Sequence, residues 1–374
     1  MALGLGVMSN LCEVGDRHQP PKIQEEQVNK VSRKVLVGAV LATVGVLALS
    51  GCASKPGAGY IECGVSDEGS WTDKSFNESV MDGMKMAKDE FGVDLKSAES
   101  KSSEDFQPNI DAMIAAKCNV IFAVGFNLID TVNAAAVANP DVHFVTVDGY
   151  NKDPENVKNL KPFNYATVES AYLAGYAAAA TSTTKVIGTY GGMQFSSVTD
   201  FMDGFYYGAK AWGKDNSTDV TVLGWNPATQ TGDFIGGFAP NDPVGKTIAA
   251  GQLAAGADVL LPVGGDQYGA LQQAIAESSN TGAMMVGVDK DWSLNETYKP
   301  QILTSIMKLL GKSVYDYVKA DAVDKTAFTS DPYVGTLKNE GIGITQTDFI
   351  DATLQAKLDE LKAGIIAGTI DPRS

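Results

Sequence analysis

Short, continuously apolar runs alternate with amphipathic helical stretches along most of this chain, and this alternation restricts the folds open to it. Seven runs are predicted as strands, at 61–65, 120–124, 143–147, 185–191, 220–223, 258–263 and 284–288, with a weaker candidate at 92–95. Continuous apolar character is expected where helices cover both faces of a sheet. The sequence therefore predicts an α/β fold built on doubly wound parallel sheets.

Helical patterns fill the intervals between these runs. One apolar helical face comprises Phe76, Val80, Met84 and Phe91. Asp242 followed by Pro243 is typical of an N-cap and the first helical position. Helices are accordingly predicted at 167–181, 242–255, 301–319 and 353–363.

The number of strands favours two α/β lobes joined by a hinge, and 374 residues are enough for about two domains. The strand–helix rhythm breaks near 162–164. We therefore expect a first lobe of residues 60–164 with about 290–335, and a second lobe of 165–289 with about 336–374. The chain would then return to the first lobe after Asp289.

The segment before residue 53 has the layout of a secretory signal. Arg33 and Lys34 precede an apolar run at 35–49, which ends in Leu49-Ser50-Gly51-Cys52. The run is too short for a spanning helix, which needs about 20 residues. The ending resembles a bacterial lipobox, so we expect residues 1–51 to be a signal peptide with an upstream segment, with the true start at Met8 or later. Cys52 would carry the lipid, and residues 52–59 would link the protein to the outer face of the cell membrane.

The formal net charge of −16 argues against a nucleic-acid partner, because no basic cluster interrupts the acidic composition. A metal site is also not expected, since His143 is the single histidine after Cys52 and few cysteines accompany it. No cofactor is predicted.

Cys63 and Cys118 are predicted to be buried free thiols. Cys63 lies inside the first predicted strand, and Cys118 just precedes the next one. If the two strands are parallel neighbours with level ends, the cysteines are staggered by several residues at about 3.3 Å each, which exceeds the reach of a disulfide.

Glycines and carboxylates dominate the residues that follow the predicted strands. Ligands of open α/β sheets bind beyond the carboxyl ends of the strands. The residues at these ends include Asp67, Gly125-Phe126, Asp148, Gly191-Gly192, Gly264-Gly265-Asp266 and Asp289. An aspartate there can also be a turn or cap residue, but the set is better explained by convergence in one cleft.

Several motifs together carry a family resemblance that covers nearly all of the chain after Cys52. They are Asp73-Lys74-Ser75-Phe76-Asn77, 187–193, 201–205 with Gly208, 287–291, Thr304-Ser305 with Lys308, and 365–370. With these motifs the chain resembles the basic membrane protein family of ABC-transporter substrate-binding lipoproteins, and within it the purine nucleoside receptor type. The resemblance implies a periplasmic-binding-protein-like, type I fold that closes over a nucleoside.

The resemblance also implies which residues hold the base. Two aromatic rings would sandwich it, here Phe76 and Phe238, each stack contributing about 1–3 kcal/mol. Asn77 offers both a donor and an acceptor to the base edge. Asp67 lies where the family places a carboxylate against the base or its neighbours.

The ribose would be held from the other strand ends. Asp289, with Gly264 and Lys308, would bind its hydroxyls, because a carboxylate can accept from two adjacent hydroxyls through strong charge-assisted bonds. Asp148 occupies, after the strand predicted at 143–147, the position equivalent to that of Asp67. The implied partners are a small-molecule nucleoside, an ABC permease and its ATPase, and the protein is expected to act as a monomer.

Some assignments have alternatives in the sequence. Phe234 or Trp225 could replace Phe238, because 224–237 is longer than the family usually has before its second aromatic. Asp291 is an alternative to Asp289. Phe76 could belong only to the core, and Lys308 could be a solvated charge on a helix.

Other functions are also open. The cleft could bind another small ligand, such as a sugar or a riboflavin-like molecule, for uptake or for signalling. A nucleoside-processing enzyme is the less favoured alternative. No tight run of aspartates is available to hold a metal, His143 begins a strand rather than ending one, and 240–247 matches a phosphate-binding loop only superficially.

Overall fold

The computed structural model describes residues 55–374, which belong to one compact unit. The predicted signal peptide, its start codon and the predicted lipid attachment at Cys52 lie outside the described residues. Within 55–374, no helix is both long enough and apolar enough to cross a bilayer.

The first sheet has six strands, all parallel, in the order β13-β5-β4-β3-β1-β2. Their bounds are β1 Ile61–Ser66, β2 Asp94–Ala98, β3 Val120–Val124, β4 His143–Val147, β5 Leu160–Tyr165 and β13 Tyr333–Gly335.

The second sheet also has six strands, in the order β14-β12-β11-β10-β6-β7. Their bounds are β6 Val186–Gly191, β7 Thr221–Leu223, β10 Val259–Val263, β11 Met284–Asp289, β12 Ile302–Lys308 and β14 Ile342–Ile344. Its pairings are parallel except that of β12 with β14. A small antiparallel ribbon of β8 (Trp225–Asn226) and β9 (Thr231–Gly232) stands apart.

The described helices connect and cover the strands. They are α1 Phe76–Phe91, α2 Phe106–Ala115, α3 Ile129–Ala138, α4 Thr167–Thr181, α5 Ser196–Asp215, α6 Pro243–Ala254, α7 Tyr268–Glu277, α8 Leu310–Val318 and α9 Ala352–Ile366. Short 3₁₀ turns lie at Ser103–Asp105, Phe126–Leu128, Trp292–Leu294 and Lys299–Gln301, and a π-helical turn at Lys319–Val323 follows α8.

The pattern of burial explains the apolar runs. Every residue of β3 and β10 is buried, because helices cover both faces of each sheet. All seven strands predicted from the sequence are present. The predicted N-cap is also confirmed, since the Asp242 carboxylate accepts a hydrogen bond of 2.8 Å from the backbone N–H of Val244 at the start of α6.

Glycines bring α4 and α5 into close contact. A Cβ added at Gly204 or Gly208 of α5 would collide with the backbone of α4, at the carbonyl oxygens of Val168 and Tyr172 respectively. The small residues of α4 and α5 therefore let two backbones pack closely behind the second sheet.

The prediction of a helical segment over 301–319 is wrong in its first half. Residues Ile302–Lys308 form β12 in the second sheet, and only then does α8 begin. The chain accordingly returns to the first sheet after Lys308, and not after Asp289. Within residues 55–374 it passes between the sheets three times, after β5, after β12 and between β13 and β14.

The prediction of two free thiols is also wrong, because Cys63 and Cys118 form a disulfide with a Cα–Cα distance of 5.9 Å. The prediction assumed that Cys118 continues the line of β3. Instead Cys118 lies in the turn after α2, next to Lys117 with its positive φ of 58°. Helix α2 packs on the face of the first sheet toward which Cys63 points, so the turn brings the two sulfurs together.

Candidate ligand-binding site

A cavity lies between the carboxyl ends of the two sheets, with about 620 Å³ of unfilled space including its opening. All eight residues predicted to bind the ligand are on its wall, namely Asp67, Phe76, Asn77, Asp148, Phe238, Gly264, Asp289 and Lys308. The structure thus brings these side chains to one place, while their part in binding stays a prediction.

Asp73 organises the wall contributed by the first sheet. Its carboxylate accepts hydrogen bonds from the backbone N–H groups of Ser75, Asn77 and Glu78, which fixes the first turn of α1. This turn carries Phe76 and Asn77 into the cavity. Negative charge at a helix N-terminus is also favoured by the helix dipole.

Asn77 is held by two carboxylates. Its Nδ2 donates to Asp67 Oδ1 at 2.9 Å and to Asp73 Oδ2 at 3.2 Å. Its Oδ1 is buried and has no hydrogen-bond partner among the described residues. A buried acceptor without a donor costs free energy, so this oxygen is suited to an N–H of a bound molecule.

Asp289 ends β11 and reaches across to the first sheet. The Ser75 hydroxyl donates to its Oδ2 at 2.7 Å. Both Asp289 and Asp148 have left-handed backbones, with φ of 67° and 56°. Such backbones are uncommon outside glycine and cluster at functional sites, which makes these two strand-end aspartates notable.

Lys308 ends β12 and pairs with Asp148 at an Nζ–Oδ2 distance of 2.6 Å. Both side chains are almost fully buried. The ammonium also lies over the rings of Phe201 and Phe76, at 5.0 and 5.7 Å from their centroids. The alternative of a solvated charge on a helix is therefore wrong for Lys308.

Burial raises the pKa of three cavity carboxyls, those of Asp67, Asp73 and Asp289. Burial raises the pKa of Asp67 to about 6, although bonds from Gly69 and Asn77 oppose the shift. Burial also raises the pKa of Asp289 to about 6, against the opposing effect of the Lys308 charge. Both groups are charged at neutral pH and can accept hydrogen bonds from a ligand there.

A stacked pair of rings joins the two sides of the cavity. Phe126 follows β3 of the first sheet, and Phe195 precedes α5 beside the second. Their centroids are 4.8 Å apart and their planes differ by 19°. Phe195 in turn lies 6.2 Å from Phe238, so an aromatic row continues along the wall.

The open alternatives divide clearly by position. Phe238 lines the cavity, whereas Phe234 packs edge-on against Trp225 and neither of these two residues is on the cavity wall. Asp289 lines the cavity, whereas Asp291 caps the turn Trp292–Leu294 by accepting from the N–H of Ser293 at 2.9 Å.

Several further wall residues were not among the predicted ligand-binding residues, namely Asp73, Phe126, Phe195, Ser197 and Phe201. Signals existed for three of them, since Phe201 begins the motif 201–205. Asp73 belongs to the motif at the start of α1, and Phe126 follows a strand end. Phe195 lies in the segment between β6 and α5, which has no comparable local pattern, and Ser197 and Phe201 reach the cavity from the first turns of α5.

Residues 61–372 match the sequence profile of the Bmp family, described as ABC transporter substrate-binding protein PnrA-like. The ABC transporter nucleoside-binding protein BmpA of Lactococcus lactis subsp. cremoris is 30% identical over 358 residues, covering 88% of this chain and 97% of that protein. Basic membrane protein A of Borreliella burgdorferi is 27% identical over 337 residues, covering 89% and 93%.

Solved structures share the fold. An ABC transporter system solute-binding protein from Aeropyrum pernix K1 has a TM-score of 0.73 at 22% identity, covering 83% of this chain and 92% of that one. A transcriptional activator of the comK gene from Bacillus halodurans has a TM-score of 0.65 at 18% identity, covering 84% and 100%. The predicted α/β, periplasmic-binding-protein-like type I fold is confirmed.

Proposed function

This chain belongs to the Bmp family of PnrA-like ABC transporter substrate-binding proteins, and from this premise we propose that it binds a purine nucleoside in the cavity between its sheets. The relative from Lactococcus lactis is named as a nucleoside-binding protein. The protein would hand its ligand to an ABC permease with its ATPase, and would carry out no catalysis itself.

The observation that carries the proposal is the composition of the cavity wall. Phe76 and Phe238 supply apolar rings, while Asp67, Asn77 and Asp289 supply polar groups that are already oriented by hydrogen bonds. A flat heterocycle stacks well on phenylalanine, and this interaction tolerates any base. The polar groups would then read the base edge and the sugar hydroxyls.

The base would lie against the first turn of α1. The acceptor Oδ1 of Asn77 lacks a partner among residues 55–374, and the adjacent Asp67 carboxylate is charged at neutral pH. Two acceptors side by side suit the N–H groups on the edge of a purine such as guanine or adenine.

The ribose would lie against the ends of β11 and β12. Asp289 can accept from two adjacent hydroxyls, and Lys308 can donate to one of them. The Ser75–Asp289 and Lys308–Asp148 bonds link the two sides of the cavity. We therefore assign this arrangement to the closed form, in which ligand and both sheets share one polar network.

Delivery would depend on closure. The two α/β lobes would open about the three chain crossings, and a nucleoside would favour the closed state through contacts that the open state cannot make. The lipid at Cys52 would hold the protein at the outer face of the cell membrane, as a monomer, beside the permease.

The test is calorimetric titration of the full chain with a panel of purine and pyrimidine nucleosides, free bases, sugars and riboflavin. We expect submillimolar binding of at least one purine nucleoside and none of the sugars. Binding of a sugar or of riboflavin alone would contradict the proposed ligand class. Chromatography of the same mixtures would reveal any released base, which would contradict a purely binding role.

A further inference from the structure

Two ion pairs outside the nucleoside cavity join its two sides. Lys74, just before α1, pairs with Asp266 at 3.3 Å, and Lys290, just after β11, pairs with Glu78 of α1 at 3.0 Å. None of these four residues is on the cavity wall. The pairs therefore connect the first lobe to the second outside the space that a ligand would occupy.

The first lobe contributes the cation to one pair and the anion to the other, so the facing surfaces attract each other at two points. The Asp266 side chain is only 2% exposed, and Lys74 supplies a counter-ion to this shielded charge. The side chains of Lys290 and Glu78 are 33% and 28% exposed. Solvent ions can reach both pairs in part, and the attraction within each pair should therefore weaken as salt is added.

Both pairs lie away from the three chain crossings. The crossings join β5, β12, β13 and β14, which are the two strands at one side of each sheet. Lys74 and Glu78 flank the start of α1 after β1, and two strands separate β1 from β5. Rotation about a hinge separates distant points most, so opening would break both pairs. Lys308, by contrast, lies directly at a crossing.

We propose that the Lys74–Asp266 and Lys290–Glu78 pairs form a latch, which favours the closed state and raises nucleoside affinity without touching the nucleoside. This inference rests on the proposed function and adds four positioning residues to it. The apparent affinity of a ligand is reduced by the fraction of empty protein in the binding-competent state, so contacts that favour closure raise it. An uncharged nucleoside should therefore bind with an affinity that depends on salt.

The first experiment is calorimetric titration of the full chain with adenosine and guanosine at low salt. Glu78→Gln should weaken binding by about two- to fivefold, the value of one partly exposed ion pair. Glu78→Lys places a like charge against Lys290 and should weaken binding by about five- to thirtyfold. Combining Glu78→Lys with Lys290→Glu should restore the affinity to within about twofold of the unmodified protein. A role of Glu78 confined to the stability of α1 would not be rescued by a change at Lys290.

A pair within one lobe supplies the matched control. Lys246 of α6 and Glu277 of α7 are 2.8 Å apart, Lys246 is 32% exposed, and neither residue lines the cavity. Opening of the lobes leaves this pair intact. Glu277→Lys should therefore keep nucleoside affinity within about twofold of the unmodified protein. A loss in Glu277→Lys as large as that in Glu78→Lys would overturn the latch.

The second experiment varies the salt concentration. Raising NaCl from about 50 to about 500 mM shortens the screening length from roughly 14 to roughly 4 Å. We expect the affinity of the unmodified protein to fall by about two- to fivefold, and the difference between it and Glu78→Lys to narrow to within about twofold. Glu277→Lys should follow the unmodified protein at every salt concentration.

The outcomes separate the latch from the proposed function. Nucleoside affinity that does not change with salt would overturn the latch and leave the proposed function in place. A loss in Glu78→Lys that Lys290→Glu does not recover would do the same. If neither adenosine nor guanosine binds the unmodified chain, the proposed function fails and this inference fails with it.

Discussion

Lys308 and Asp148 form a buried ion pair that joins the second sheet to the first, with 2.6 Å between Nζ and Oδ2. Removing one partner leaves the other charge buried without compensation. We expect Lys308→Met to lower the free energy of unfolding by about 3–5 kcal/mol, whereas Lys308→Met with Asp148→Asn should recover much of the loss. Urea denaturation of the single and double variants measures both effects.

An exposed pair supplies the control for this experiment. Lys312 and Asp316 are 2.5 Å apart on α8, with more than half of each side chain exposed. Lys312→Met should change the free energy of unfolding by less than about 1 kcal/mol. Equal costs for the two lysine variants would show that burial of the Lys308–Asp148 pair has no energetic weight.

The rings of Phe76 and Phe238 should matter for binding and little for folding. Both are half-buried and face the cavity. Replacing either by alanine should cost about 1–3 kcal/mol of nucleoside binding, roughly ten- to a hundredfold in affinity. Calorimetry measures the affinity, and thermal melting of the ligand-free protein should show a small change.

Substitution of Phe91 should have the opposite effect to substitution of Phe76 or Phe238, because it should affect folding and not binding. It ends α1 deep in the core and is not on the cavity wall. Phe91→Ala should destabilise the fold by about 3–5 kcal/mol with nucleoside affinity retained in the folded fraction. If Phe76→Ala behaves like Phe91→Ala, Phe76 belongs to the core and not to the site.

Nucleoside affinity should fall on acidification. Burial raises the pKa of Asp289 and of Asp67 to about 6, and each group accepts ligand hydrogen bonds only when ionised. Affinity should therefore be constant above about pH 7 and decline by about tenfold per pH unit below 6 for each ionised group required. Calorimetric titrations at pH values between about 5 and about 8 measure this decline in affinity.

Substitutions at Asp289 and Asp291 test which of these two carboxylates causes the pH dependence of nucleoside affinity. Asp289→Asn should bind weakly and lose part of the pH dependence. Asp291→Asn changes a capping residue that is outside the cavity, so it should keep both the affinity and the pH profile of the unmodified protein. If Asp291→Asn weakens nucleoside binding more than Asp289→Asn does, the ligand-binding carboxylate is that of Asp291 and not that of Asp289.

Glu62 should make the fold less stable as pH rises. Its carboxyl is fully buried in β1 with no hydrogen-bond partner among the described residues. Burial raises its pKa from 4.5 to about 8, with Lys88 opposing the shift. The folded state thus holds a proton that the unfolded state releases, so the free energy of unfolding contributed by Glu62 falls between pH 4.5 and 8.

Replacement of Glu62 by glutamine removes this titration. We expect Glu62→Gln to resemble the unmodified protein near pH 4.5 and to exceed its stability by a few kcal/mol, on the order of 1.4 per pKa unit, above pH 8. Urea denaturation at the two limits tests this. If the free energies of unfolding of Glu62→Gln and of the unmodified protein differ by the same amount at both pH limits, Glu62 is ionised in the folded protein.

The Cys63–Cys118 disulfide should stabilise the fold without affecting nucleoside binding in the cavity. Cys63 and Cys118 are 55 residues apart in sequence, and neither lines the cavity. Replacing both by alanine should cost about 2–4 kcal/mol, because the unfolded chain gains freedom. Denaturation midpoints with and without the bond measure the cost, and nucleoside affinity is the internal control.

Much of the fold could be predicted from the sequence, because buried parallel strands produce continuous apolar runs. Strand β12 is the instructive exception. It contains Thr304, Ser305 and Lys308, which read as helical or solvated in the sequence. The Thr304 hydroxyl donates to the Thr345 carbonyl at 2.7 Å, and the Ser305 hydroxyl accepts from the Trp292 N–H at 3.0 Å. These polar side chains are satisfied by partners distant in sequence.

The candidate site was predictable for a related reason. Residues such as Asp67, Asp148 and Asp289 follow strands, and parallel strands end at a shared edge, so local signals converge in space. Phe195 and the Cys63–Cys118 bond had no such signal. Their positions depend on how a loop or a turn folds back over the sheet, which the spacing of residues along the chain does not encode.

The threefold passage of the backbone between the sheets has a consequence for proteolytic damage. One peptide-bond break at any single passage leaves the halves tethered covalently by the remaining two. A molecule cleaved at one passage can therefore keep its fold and its ligand-binding cavity. Separating the two halves therefore requires three cleavages, one at each passage.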